Sequence, residues 1–152
     1  MQSADPKAQF KVLWTLFLTA PAVYIAIGYF IATSILPGGS MPQVPATIRL
    51  VFLAVGLATL VQGFLWTRLR VTEERIRAKG SRDAARLFVM QNAIVSLALL
   101  DSAAVAGLAS AIITGRLNDL YLGAAASFVA MLLQRPQTTM LFESADRQFP
   151  EA

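Results

Sequence analysis

Residues 87–113 read LFVMQNAIVSLALLDSAAVAGLASAII, a continuous apolar stretch that contains one charged residue, Asp101. A helix that crosses a bilayer needs about 20 mainly apolar residues, so this stretch is long enough to span a membrane. Asp101 lies near its middle, far from both polar ends. The sequence therefore predicts a transmembrane helix that carries a single carboxyl group deep in the membrane.

Three further stretches meet the same rule: residues 10–36, 48–67 and 118–134. Of the 152 residues, 56% are apolar and 14% are charged, whereas soluble domains average about 45–50% apolar and about 25% charged residues. We therefore predict an all-α membrane protein with four transmembrane helices in an antiparallel bundle, formed by residues 1–136. Residues 137–152 are predicted to be a polar C-terminal tail, because Pro136 should end the fourth helix.

Residues 68–86, between the second and third spans, are too polar for the membrane core. We predict that they extend both helices as a helical hairpin outside the bilayer. Gly80 should end the second helix and Ser81 should be the N-cap of the third. Thr114 and Gly115 mark the end of the third helix.

The chain contains no cysteine and no histidine. Thiolate and imidazole metal sites are thereby excluded, as are Ser-His and Cys-His catalysis. Asp101 is expected to be the only ionisable side chain deep in the spans, so a pair of catalytic groups is not expected there. We therefore predict neither enzymatic activity nor a cofactor site.

The basic residues indicate an orientation. Seven of the 13 Lys and Arg residues lie between the second and third spans: Arg68, Arg70, Arg75, Arg77, Lys79, Arg82 and Arg86. Basic residues concentrate on the cytoplasmic side of membrane proteins, so we expect both termini to be cytoplasmic. The expected location is a bacterial inner membrane, and the expected partner is the lipid bilayer. Acidic residues interrupt the cluster and no aromatic residue accompanies it, which argues against nucleic-acid binding.

Asp101 is the most informative residue of the sequence. An acidic side chain at a helix centre costs about 2.5–3.5 kcal/mol on insertion scales, so it usually faces a partner or a water-filled cavity. Because no basic residue lies deep in the spans to pair with it, a proton or a bound cation should neutralise it. We expect it to lie level with residues 54–56 of the second span, with Asn92 and Ser96 forming a polar track toward it from the cytoplasmic side.

Three roles remain open for this carboxyl group. It could hold the bundle together through a hydrogen bond to Ser102, to a backbone carbonyl or across a helix interface. It could bind a proton or cation in connection with transport, or it could contact another membrane subunit.

Small residues recur at helical spacing in the spans and predict close helix packing. We single out Gly56 in the second span, Ala103 and Gly107 in the third, and Gly123 in the fourth. These residues could pack the four helices of one chain together, or they could form the contact between copies in a homo-oligomer or a larger membrane complex.

Residues 73–113 resemble the c subunit, or proteolipid, of rotary ATP synthases. That family is a helical hairpin with a cytoplasmic polar loop, and its second helix carries one membrane carboxylate followed six residues later by Gly-Leu. The counterparts here are Asp101 and Gly107-Leu108, and this helix also leaves the cytoplasmic side. The resemblance implies that Asp101 is an ion-binding carboxylate and that Ser102 supplies a hydroxyl ligand, as in sodium-type members.

Two functions follow as expectations. The first is a small polytopic inner-membrane protein whose intramembrane carboxylate binds or relays a proton or cation, as in proteolipids. The alternative is a non-transporting accessory or structural subunit of a membrane protein complex.

Overall fold

A computed structural model describes residues 5–37, 39–40 and 45–150 of the chain. Within these ranges the regular structure is entirely helical: α1 (Pro6–Phe30), a π-helical segment that continues it (Ile31–Ile35), α2 (Ala46–Arg70), α3 (Glu73–Arg77), α4 (Arg82–Thr114) and α5 (Leu117–Gln148). Residues 1–4 and 151–152, at the ends of the predicted transmembrane domain and tail, lie outside the described residues.

Four of these helices are long and apolar enough to cross a membrane: α1 with its π-helical segment, α2, α4 and α5. They correspond to the four stretches that the sequence indicates. The prediction of an all-helical fold built on four long apolar helices is therefore confirmed.

The central helix of the bundle is α4, which packs against α1, α2 and α5. Its largest interfaces are with α2 and α5, while α1 also packs against α5. Among the described residues, α1 and α2 share at most a marginal contact. The buried core accordingly draws heavily on α4, with Val89, Leu97 and Leu100 fully buried.

Both ends of α4 have the local chemistry that the sequence predicts. The Ser81 hydroxyl accepts a hydrogen bond from the Ala84 amide at 3.3 Å, which satisfies one of the free amides of the first turn. At the other end, Gly115 has φ of 70°, in the left-handed region that glycine adopts without steric penalty. The predicted start and end of this helix are confirmed.

The predicted extension of the second helix toward Gly80 is wrong. α2 ends at Arg70, and the short α3 begins after Thr72, whose hydroxyl accepts from the Arg75 amide at 3.4 Å. The chain turns back because Val71 and Ile76 are buried against the bundle, with 5% and 0% of their surfaces exposed. A straight continuation of α2 would carry both side chains into solvent.

The prediction that Pro136 ends the fourth helix is also wrong. Helix α5 contains Pro136 and continues to Gln148, so most of the predicted polar tail is helical. An internal proline costs about 3 kcal/mol because it removes a backbone hydrogen bond and crowds the preceding turn. Burial of Phe142 and Ala145 offsets this cost, and the Phe142 ring lies 5.6 Å from the Phe10 ring of α1.

Candidate functional site

Asp101 lies in α4 at its interface with α1, and 9% of its surface is exposed. The Tyr24 hydroxyl of α1 donates a hydrogen bond to Asp101 Oδ2 at 2.9 Å. The other carboxyl oxygen, Oδ1, is buried without a hydrogen-bond partner among the described residues. The site is therefore a buried carboxyl group in which one oxygen is hydrogen-bonded to a neighbouring helix and the other has no hydrogen-bond partner among the described residues.

The carboxyl group of Asp101 bonds to α1, and not to residues 54–56 of α2, with which the sequence predicts it to lie level. Gly56 of α2 packs instead against Ala103 and Ala106, since a methyl group added at Gly56 would lie 3.5 Å from Ala106 Cβ and 3.7 Å from Ala103 Cα. At 3.6 residues per turn, Ala103 lies about 200° around α4 from Asp101. Counting residues along α2 and α4 predicts which residues lie at the same depth, but it does not predict which neighbouring helix the Asp101 side chain faces.

Ser102 is not brought to the carboxyl group of Asp101. Its hydroxyl donates to the Ala98 carbonyl one turn earlier on α4, at 2.9 Å. This bond stays within one helix, so Ser102 takes no part in the contact between Asp101 and Tyr24.

Asn92 and Ser96 both bond toward α2. The Trp66 indole donates to Asn92 Oδ1 at 3.2 Å, and the buried Ser96 hydroxyl donates to the Gly63 carbonyl at 2.6 Å. Because Asp101 bonds to α1, these two residues and the carboxyl group lie at different helix interfaces. The structure does not bring them together as a polar track.

The small residues singled out in the sequence do meet at helix interfaces. A methyl group added at Gly107 would lie 2.6 Å from the Asp119 carbonyl oxygen of α5 and 3.3 Å from Gly123 Cα. One added at Gly123 would lie 2.6 Å from the Ala103 carbonyl oxygen. Gly107 and Gly123 therefore let the backbones of α4 and α5 touch, while Gly56 and Ala103 meet where α2 packs on α4.

A second buried carboxylate, Asp119, was missed from the sequence. It is 1% exposed and forms a bidentate pair with Arg49, whose Nε and Nη2 donate to Oδ2 and Oδ1, both at 2.8 Å. The Ser110 hydroxyl also donates to Asp119 Oδ2 at 2.8 Å. Asp119 falls inside the predicted span 118–134, and the sequence signal for the pair is that Asp119 and Arg49 lie at the same end of their predicted spans.

A further polar contact joins α2 and α5 in the interior. The Gln134 side-chain amide donates to Thr67 Oγ1 at 2.6 Å, and both residues are almost fully buried. Residue type does not indicate this pair, because glutamine and threonine near the end of a predicted span are commonly exposed.

The two buried carboxyl groups differ in their chemistry. Asp119 is neutralised by the guanidinium of Arg49, whereas Asp101 has no cationic partner among the described residues and is bonded to a phenol hydroxyl. Asp101 is thus the group suited to gain and lose a proton. Within the described ranges, no three Asp or Glu side chains lie close enough together to hold a metal ion. Comparison of the chain with protein-family models, with curated proteins and with solved structures found no match.

Proposed function

We propose that the protein spans a membrane four times and binds or relays a proton at Asp101. The four long apolar helices support the membrane location, and the short sequence resemblance to proteolipids supports a role in ion handling. The observation that carries the proposal is the open Oδ1 atom of Asp101, a buried acceptor with no partner among the described residues. An ionised carboxylate left in this state would be costly, so the site favours the proton-bearing form.

The charged residues at the helix ends support the proposed orientation. Arg86 of α4 pairs with Asp5 before α1 at 3.4 Å and with Asp146 of α5 at 2.7 Å, so these three ends lie together. This basic end also carries the seven Lys and Arg residues of 68–86, whereas Arg49 and Asp119 pair away from it. Under the positive-inside rule, the basic end with both termini faces the cytoplasm, in a bacterial inner membrane.

A proton fits the site better than a metal cation. Hard cations bind about six or more oxygen ligands in proteins, whereas among the described residues the carboxyl group of Asp101 has one hydrogen-bond partner, the Tyr24 hydroxyl. Ser102, which the proteolipid resemblance makes a ligand, bonds to its own helix instead. These oxygen atoms are therefore enough to hold a proton, and they are too few to coordinate a metal cation.

Carbodiimide labelling tests proton binding, because the reagent modifies protonated carboxyl groups in apolar surroundings. We expect the reagent to modify Asp101 at neutral pH in membranes, with less modification as the pH rises, and Asp101→Asn to abolish it. Asp83→Asn is the matched control, since Asp83 is exposed in the first turn of the same helix. Protection of Asp101 by sodium at constant pH would instead indicate a cation site and contradict the proton assignment.

A flux measurement separates binding from transport. Purified protein in vesicles that contain a pH-sensitive dye should pass protons faster than empty vesicles, and Asp101→Asn should return the rate to that of empty vesicles. Asp83→Asn should leave the rate unchanged. Labelling of Asp101 without any flux would restrict its role to proton binding.

The second candidate is a non-transporting accessory or structural subunit of a membrane protein complex. The observation that favours it is the Tyr24 bond, which uses Asp101 to join α1 to α4. In this case the wild-type protein passes no protons, and Asp101→Asn keeps its assembly because the amide oxygen still accepts from Tyr24. Native mass spectrometry of the complex from membranes discriminates further: a ring of identical copies favours the proteolipid-like role, and one copy among other subunits favours the accessory role.

A further inference from the structure

A cleft of about 290 Å³ opens between α1 and α5 at the basic end of the bundle. Its lining includes three basic and three aromatic side chains: Lys7, Lys11, Arg135, Phe10, Trp14 and Phe142. Among the described residues, no carboxylate lines it. The cleft is therefore a concave, positively charged surface with an aromatic floor, and it is separate from Asp101.

The aromatic floor is held in place by contacts between the two helices. The Trp14 indole donates to the Met131 carbonyl of α5 at 3.2 Å. The Arg135 guanidinium lies over the Trp14 ring, 4.5 Å from its centroid. These contacts hold the Trp14 ring in place and position the Arg135 guanidinium over its face.

The basic groups of the cleft are not neutralised by any of the described residues. Within the described residues, Lys7, Lys11 and Arg135 form no ion pair, whereas Arg86 close by is paired with Asp5 and Asp146. Three cations around one cleft without a carboxylate are suited to a phosphate group, which accepts several charge-assisted hydrogen bonds.

The surface beside the cleft is apolar in the direction of the membrane centre. Leu132 and Phe128 lie one and two turns before Arg135 on the same face of α5, and they are 42% and 40% exposed. A molecule with a phosphate in the cleft and hydrocarbon chains along this face of α5 would match both the basic cleft and the apolar surface beside it. Tryptophan and long basic side chains are also the residues that mark the headgroup level of a bilayer.

We propose that this cleft binds the headgroup of an anionic phospholipid, with the acyl chains lying along α5. Lys7, Lys11 and Arg135 contact the phosphate, and Phe128 and Leu132 contact the chains. The site is independent of Asp101, but it requires the basic end to lie at the headgroup layer.

The test uses Trp14 as a reporter. In a Trp66→Phe background, Trp14 is the single tryptophan, and lipids with brominated acyl chains quench it when they bind beside it. The full-length protein is placed in phosphatidylcholine nanodiscs that contain a minor fraction of brominated phosphatidylglycerol or, in a parallel sample, of brominated phosphatidylcholine. We expect stronger quenching by the anionic lipid.

The decisive variant is Lys7→Gln/Lys11→Gln, which should weaken the preference for the anionic lipid by about fivefold for each lysine removed. The matched control, Arg77→Gln/Arg147→Gln, removes the same charge from exposed positions at the same end and should keep the preference. Lys7→Arg/Lys11→Arg should restore it. Far-ultraviolet circular dichroism checks that each variant remains helical.

Three results would overturn the proposal. Equal quenching by the two lipids would mean that no anionic headgroup is selected. An equal loss in the control variant would mean that total charge, and not the cleft, attracts the lipid. Loss of the preference on addition of millimolar inorganic phosphate at constant ionic strength would assign the cleft to a soluble anion.

Discussion

Tyr24 and Asp101 form a contact between α1 and α4 whose contribution can be measured with a double-mutant cycle. Tyr24→Phe removes the donor and leaves Asp101 Oδ2 buried without its hydrogen bond. Because interhelical hydrogen bonds in membrane proteins contribute about 0.6 kcal/mol on average and about 1.7 at most, we expect a coupling free energy in this range between Tyr24→Phe and Asp101→Leu. Unfolding in mixed micelles with increasing dodecyl sulfate measures it, and a coupling near zero would contradict the contact.

Ser110 contributes to stability through the charged Asp119 carboxylate. Its hydroxyl is fully buried and donates at 2.8 Å. Loss of a hydrogen bond to a charged group costs about 1.5–3 kcal/mol, so Ser110→Ala should lower the free energy of unfolding by about this amount.

Ser102→Ala is the matched control for that change, because Ser102 lies on the same helix and bonds within it. It should change the unfolding free energy by less than about 0.5 kcal/mol. It should also leave carbodiimide labelling of Asp101 unchanged. A large effect of Ser102→Ala on labelling would show that its hydroxyl does act on the carboxyl group, as the proteolipid resemblance implies.

At the residue scale, the sequence identifies Asp101 but not its neighbour. A lone acid in a long apolar stretch is visible from composition alone, and the structure shows it buried. Tyr24 is 77 residues away in the chain, and its contact depends on how α1 is rotated about its own axis. A helix that is apolar on every side has no polar face in its sequence to indicate that rotation.

At the scale of helices, the close approach of α4 and α5 depends on Gly107. Its added methyl group would lie 2.6 Å from the Asp119 carbonyl oxygen, so Gly107→Ala must push the two helices apart. We expect a loss of about 1–3 kcal/mol in the free energy of unfolding, the usual cost of overpacking. The same detergent titration measures it.

Gly56→Ala is the control for this prediction. The methyl group it adds meets Ala106 and Ala103 at ordinary contact distances of 3.5 and 3.7 Å. Since alanine is favoured over glycine within a helix by about 0.5–1 kcal/mol, this change should be neutral or stabilising. Equal destabilisation by the two substitutions would show that helix spacing is not determined at Gly107.

Helix ends show which local signals a sequence conveys. Ser81 and Gly115 act through atoms within one turn, so their roles follow from residue type alone. The end of α2 also had a local signal, since Thr72 precedes Glu73 and Glu74 in the pattern of a new helix start. Pro136 is different, because the local rule is overridden by Phe142, which packs on a helix more than a hundred residues earlier.

At the scale of the whole molecule, the ion pairs of Arg86 connect the ends of α1, α4 and α5, beyond the apolar part of α5. Its guanidinium donates to Asp146 Oδ1 at 2.7 Å and holds the pKa of that carboxyl below its ordinary value. A lowered pKa in the folded state stabilises the fold at neutral pH, and this contribution is lost as the pH falls through the lowered pKa.

We therefore expect the wild-type protein to lose more unfolding free energy on acidification than Asp146→Asn, which cannot titrate at this position. Glu143→Gln, an exposed change on the same helix, should keep the wild-type acid sensitivity. Detergent unfolding at a series of pH values between neutral and strongly acidic measures the difference. Identical acid dependence of Asp146→Asn and the wild-type protein would show that this ion pair adds no stability.

The central position of α4 also bears on how the protein is made. Helices α1 and α2 leave the ribosome first, yet they share at most a marginal contact with each other and find their main partners in α4 and α5. During synthesis the first two helices therefore emerge before the helices that they pack against. A nascent chain that stalls before α4 would therefore leave uncovered the surfaces of α1 and α2 that α4 and α5 bury in the folded protein.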